Sequence, residues 1–143
     1  MLTHTIIVDS DALIALFNKD DANAKKASKL FTIFLEKKIR LLYPATTLVE
    51  TIDTLQRKLK KHEEALRITQ LIAEARFATE SVVAINGSDI KEALMFFGQK
   101  SSNHTTLADA IVAYIAKKYE ARAICSFDTW YKKVGFRLAV DIY

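Results

Sequence analysis

The sequence has little that would staple, anchor or segment a chain. It holds one cysteine, Cys125. That excludes an internal disulfide and fits a reducing, cytoplasmic setting. No cluster of Cys and His has zinc spacing. No apolar run approaches the roughly 18 residues of a membrane span. No basic segment followed by a long apolar stretch marks a signal peptide, so no membrane partner is expected. Internal repeats, low-complexity tracts and linkers are also missing. The 143 residues therefore read as one domain, 1–143, long enough to bury one sizeable core. Half the residues are apolar, a globular composition. Lys and Arg outnumber Asp and Glu by 21 to 17, a net charge of +4. That balance suits a polyanionic partner.

The element pattern alternates strands with helices. Thr5 to Val8 is a β-branched run and reads as a buried strand. A short helix, Asp11 to Phe17, follows. Ala27, Leu30, Phe31, Phe34 and Leu35 form an i, i+3, i+4 stripe on the next helix. Leu41 to Tyr43 is a second strand, ended by Pro44. From Thr46 a helix carries Leu48, Ile52, Leu55 and Leu59 on one face, and another carries Ala65, Ile68, Leu71, Ile72 and Ala75. Val82 to Ile85 is a third strand. Asn86-Gly87-Ser88 turns the chain and caps a helix with Ile90, Ala93, Leu94 and Phe97. A polar loop, Lys100 to Thr105, leads to a largely apolar helix, Thr106 to Lys118. Ala121 to Cys125 is a fourth strand, Asp128 to Lys133 a short helix, and Arg137 to Val140 a fifth strand. This order predicts an α/β fold, a parallel sheet of four to five strands covered on both faces.

In such sheets ligands bind outside the carboxyl ends of the strands. Asp9 stands there, directly after the first strand. Glu50 follows the second strand, Asp109 lies in the first turn of the helix leading to the fourth, and Asp128 follows the fourth. Asp109 is the only charged residue between Thr106 and Ala116. A carboxylate on so apolar a helix is costly unless it is paired or binds a cation. A second reading stands beside this one. Thr47-x-x-Glu50 and Thr106-x-x-Asp109 both fit the capping box, and Asp9 and Asp128 fit simple caps. Asp11 either reaches a metal through water or caps its own helix.

The stretches Val8-Asp9-Ser10-Asp11-Ala12-Leu13-Ile14, Ala45-Thr46-Thr47-Leu48-Val49-Glu50, Leu107-Ala108-Asp109-Ala110-Ile111-Val112-Ala113 and Ser126-Phe127-Asp128-Thr129-Trp130 resemble the successive motifs of PIN-domain ribonucleases. Among these the chain is most similar to VapC-type toxins of toxin–antitoxin pairs. The resemblance spans nearly the whole chain. It implies a three-layer α/β/α PIN-like fold and metal-dependent endonucleolytic cleavage of RNA. It also implies a pocket in which Asp9, Glu50, Asp109 and Asp128 bind Mg2+ or Mn2+. Ser126 matches a small hydroxyl residue two before the last acid and, with Asp11, has a supporting place. Trp130 departs from the pattern, which commonly has phenylalanine further along that helix. For a toxin the resemblance further implies a homodimer and a protein antitoxin whose tail lies along helices near Glu50.

The chemistry is coherent. Clustered carboxylates repel one another and would partly protonate alone; a divalent cation reverses this, and magnesium prefers hard oxygen ligands. Whether one or two ions bind stays open. Three other readings also stay open. One is a PIN nuclease with a housekeeping role in RNA processing. Another is a phosphohydrolase of the haloacid-dehalogenase kind, in which Asp9 is a nucleophile and Asp11 an acid/base. The third is a binding module without activity. Arg57-Lys58-Leu59-Lys60-Lys61 and His104 are candidate phosphate contacts, set against a solvated helix end and an exposed loop.

Overall fold

The computed structural model describes residues 4–74, 80–98 and 105–143. Strands β1 (Thr5–Val8), β2 (Arg40–Pro44), β3 (Glu80–Val83) and β4 (Ala123–Cys125) form one parallel sheet in the order β3-β2-β1-β4. Ile7 pairs with Leu42 on one side and Ile124 on the other. The helices are α1 (Ser10–Phe17), α2 (Ala24–Glu36), α3 (Ala45–Asp53), α4 (His62–Glu74), α5 (Gly87–Phe97), α6 (Leu107–Lys118) and α7 (Trp130–Lys133).

Two-residue alternation along the strands builds two cores, one on each face of the sheet. Ile7, Leu42, Val83 and Ile124 point into the first, with Phe96 of α5, Ile111 and Ile115 of α6, and Tyr131 of α7. Ile6, Val8, Leu41, Tyr43 and Cys125 point into the second, with Leu13 of α1, Leu30 and Phe34 of α2, and Leu48 of α3. Three layers result, and the central strand is apolar on both sides because both sides are covered. Burying a side chain such as Phe34, 1% exposed, contributes about 1.5–3 kcal/mol.

The chain departs from the sequence pattern in particular places. No fifth strand forms at Arg137 to Val140. Leu138 makes a single bridge to Ile124, and the chain then closes a 3-10 turn, Ala139–Asp141. Leu138 and Ala139 enter opposite cores, so they alternate as a strand would without a ladder. Leu35, expected inward, is 75% exposed. On α4 only Ala65 and Ile68 are fully buried, and on α5 the buried face is Asp89, Ala93 and Phe96, leaving Ile90, Leu94 and Phe97 exposed. The helix begun by α3 widens into a π-helical turn at Thr54–Lys58, with Leu55 buried beneath it. Ala75 and the loop residues Lys100 to His104 lie outside the described residues.

Candidate active site

The sheet order places a switch point between β1 and β4. From β1 the chain winds outward through β2 to β3, then crosses back to β4 on the other side of β1. Helices leave the sheet in opposite directions there, which opens a crevice at the carboxyl ends. Asp9 and Asp128 follow the two strands that flank it.

Asp9 is the N-cap of α1 and is 4% exposed. Its backbone N–H donates to the Cys125 carbonyl (3.0 Å), so the acid is fixed to the end of β4. Its Oδ1 accepts the Ser10 N–H (2.7 Å) and its Oδ2 accepts the Tyr131 hydroxyl (2.6 Å). Burial pushes its pKa well above the ordinary value; the charge of Asp11 and then that of Asp109 add to this, against the hydrogen bonds from Tyr131 and Ser10.

Glu50 arrives from α3, which starts directly after Pro44. Helix α3 begins at Ala45, so Glu50 sits in its second turn and not in its first. The expected capping box with Thr47 does not form. Thr47 instead donates its hydroxyl to the Val8 carbonyl (3.0 Å), tying α3 to the end of β1. The Ser10 hydroxyl donates to Glu50 Oε1, which ties that carboxylate to the start of α1.

Asp109 is both a cap and a member of the cluster. Its Oδ2 accepts the Thr106 N–H (3.0 Å), and its own N–H donates to Thr106 Oγ1 (3.2 Å). Burial raises its pKa above the two opposing hydrogen bonds from Thr106, and the charges of Asp128 and Glu50 raise it further. Asp109 thus lies near enough to Asp128 and Glu50 to feel their charges, and Asp9 near enough to Asp109 to feel its charge.

Asp128 is exposed. Its Oδ1 accepts the Trp130 N–H (2.9 Å), and its own N–H donates to Ser126 Oγ (3.0 Å). Asp11 is a clasp. Its Oδ2 accepts from the Ser126 hydroxyl (2.9 Å) and the Phe127 N–H (2.8 Å), and its Oδ1 accepts the Ala12 N–H (2.8 Å). A carboxylate with three donors holds the start of α1 to the loop after β4. Burial raises its pKa against those hydrogen bonds, and Asp128 adds to the rise.

No ion pair among the described residues involves these acids. Pairs that form there include Lys61 with Asp20, Lys118 with Asp89, and Lys132 with Asp141. Among the described residues no three acid, His or Cys side chains converge closely enough to hold a metal ion as they stand. The donor set still fits a hard divalent cation: oxygen ligands alone, partly buried, and mutually repelling. Asp9, Glu50, Asp109 and Asp128 are the side chains that would hold it.

The sequence pattern misses Tyr131. It is fully buried and reads as an ordinary core aromatic, yet its hydroxyl reaches Asp9. Its only outward signal is its place three residues after Asp128. The basic run has one member engaged elsewhere, since Lys61 pairs with Asp20 at 2.7 Å. His104 lies outside the described residues.

The family model described as PIN domain matches residues 6–137. No curated protein matches in sequence. Among solved structures, the chain is similar to Mycobacterium tuberculosis VapC20, described as a sarcin–ricin-loop-cleaving toxin. That match has a TM-score of 0.76 at 21% identity and covers 92% of this chain and 95% of the other.

Proposed function

The chain belongs to the PIN-domain family, and from that premise we propose that it is a Mg2+- or Mn2+-dependent endoribonuclease, the toxin of a toxin–antitoxin pair. The observation that carries the reading is the charge coupling centred on Asp109. Burial raises the pKa of both Asp9 and Asp109; the charge of Asp109 adds to the rise at Asp9, and those of Asp128 and Glu50 add to the rise at Asp109. No basic side chain among the described residues pairs with them. Carboxylates that repel in this way are stabilised by a cation or, without one, by taking up protons. When bound, the cation activates a water and offsets charge on the scissile phosphate.

The chain's own groups prepare that site. Ser10 ties Glu50 to the start of α1, and Thr106 holds Asp109 at the head of α6. Asp11 and Ser126 fix the loop that carries Asp128. Asp11 serves as this clasp, which leaves it poorly placed for the acid/base role of a phosphohydrolase.

The toxin role draws support from the structural likeness to VapC20. A second support is an apolar groove of about 320 Å³, lined by Leu13, Phe17, Phe31, Leu48, Ile68 and Ile72 from α1 to α4. A groove of this kind suits the apolar face of an antitoxin segment. The exposed Leu94 and Phe97 on α5 suit a homodimer contact. The buried thiol of Cys125 suits a reducing cytoplasm. No helix among the described residues is long and apolar enough to cross a membrane.

The test is RNA cleavage by clean preparations of the wild type and Asp9→Asn, with Mn2+ or with chelator. Cleavage by the wild type with metal, absent with chelator and absent in Asp9→Asn, is the expected result. Equal cleavage by both proteins would end the proposal.

A further inference from the structure

A core aromatic at the rear of the site carries one more step. Tyr131 is 0% exposed and packs edge-on against Trp130, with ring centroids 5.2 Å apart. It belongs to the core on the α5–α6 face of the sheet. Its hydroxyl leaves that apolar setting at one point, to donate 2.6 Å to Asp9 Oδ2. On the other side, Asp9 Oδ1 takes the Ser10 N–H at 2.7 Å. The two donors pin both oxygens, so the carboxylate plane cannot turn. Each oxygen keeps a further lone pair.

Packing alone does not call for this contact. A phenylalanine would fill the same space without bringing a polar atom into the core, and a buried hydroxyl is costly unless bonded. The side chain spans two environments: its ring is locked among apolar neighbours, and its tip is locked on an acid. Such an arrangement transmits the rigidity of the core to the carboxylate. Burial and the nearby charges of Asp9 and Asp109 keep the phenol protonated, so it remains a donor.

We infer that Tyr131 is a positioning residue that orients the Asp9 carboxylate for the divalent cation, through the hydrogen bond from its hydroxyl to Asp9 Oδ2. This rests on the nuclease reading above. Groups that hydrogen-bond to a ligand from behind set its orientation, and losing one typically costs about 10–100-fold in metal affinity.

The test is titration of the metal-free protein with Mn2+, followed by calorimetry, for the wild type, Asp9→Asn, Tyr131→Phe and Trp130→Phe. The wild type binds and Asp9→Asn does not. Tyr131→Phe binds about 10-fold or more weakly, and its cleavage recovers as Mn2+ is raised. Trp130→Phe, which changes packing in the same helix, alters the melting temperature and leaves the affinity in place. A Tyr131→Phe affinity within about twofold of the wild type overturns the inference while leaving the nuclease reading intact. Failure of the wild type to bind overturns both.

A second readout is spectroscopic. At saturating Mg2+ the wild type gives a tyrosine ultraviolet difference spectrum that Tyr131→Phe, also saturated, lacks. A wild type that binds Mg2+ without such a spectrum contradicts the inference.

Discussion

Helices α5 and α6 start in the same way and differ in what their first acid meets. Each opens on a capping box. Asp89 N–H donates to Asn86 Oδ1 at 2.9 Å, and Asn86 N–H donates back to Asp89 at 3.1 Å. Asp109 and Thr106 repeat the exchange at 3.2 and 3.0 Å. The second oxygen of each acid tells them apart. Asp89 Oδ1 takes the Lys118 ammonium at 2.9 Å, and that bond, with help from the Asn86 N–H, lowers its pKa. Asp109 has no cation partner among the described residues, and burial, with the charges of Asp128 and Glu50 added, raises its pKa. A cap is a local device that either kind of acid performs equally well. Three-dimensional surroundings decide whether the leftover charge is neutralised by the protein or left for something that arrives.

The strongest way to break this contrast is by activity. Asparagine keeps a cap oxygen and deletes the charge. Asp109→Asn should lose RNA cleavage by more than about 100-fold, beyond what losing a mere supporting group costs. Asp89→Asn should still cleave at temperatures where it is folded. Equal losses in the two variants would show that both acids serve only the fold.

Stability of the metal-free protein sharpens the contrast, because the two signs oppose. Burial and then the neighbouring acids disfavour the Asp109 charge more than its Thr106 hydrogen bonds favour it, and asparagine keeps a cap oxygen, so Asp109→Asn should melt higher than the wild type. Removing the partner of Lys118 should make Asp89→Asn melt lower. For a chain of this length about 1 kcal/mol moves the midpoint by roughly 2–4 °C. Thermal melts in chelator check both directions. Saturating Mn2+ should then raise the wild type above its metal-free midpoint, as any ligand of the native state does, and leave Asp109→Asn nearly unmoved.

The smallest effect is in pH. Asp9, Asp11 and Asp109 have raised pKa values in the fold. The native state therefore holds their protons more tightly than the unfolded chain. Their contribution favours folding at low pH and is lost as pH rises from the ordinary carboxylate range, about pH 4, through their raised values. Asp89, with a lowered value, contributes above that range and loses its contribution as pH falls through it. The advantage of Asp109→Asn over the wild type should grow with rising pH. The deficit of Asp89→Asn should shrink with acid. Melting midpoints across a pH series in chelator report both slopes.

Much of this was legible in the sequence because it depends on near neighbours. The β-branched run Thr5–Val8 became β1 with those bounds, and the four strands alternate with helices as their apolar periods require. The acids at strand ends could be named because a parallel sheet puts every such end on one edge. Contacts across the chain were not legible. Asp11 meets Ser126 over 115 positions and Tyr131 meets Asp9 over 122; periodicity gives the face a residue occupies and not the partner waiting there. Leu138 and Ala139 mimicked a strand because each enters a different core. The Thr47 pattern mimicked a capping box because a threonine hydroxyl suits a distant carbonyl as well as a helix start.

The account rests on the acids at the sheet edge sharing one divalent ion. The most direct measurement is anomalous diffraction from crystals soaked in Mn2+. The expected result is a peak about 2.1 Å, close to the magnesium–oxygen contact, from oxygens of both Asp9 and Asp109. A peak elsewhere, or an ordered site in which those two carboxylates take no ion at saturating Mn2+, would contradict it.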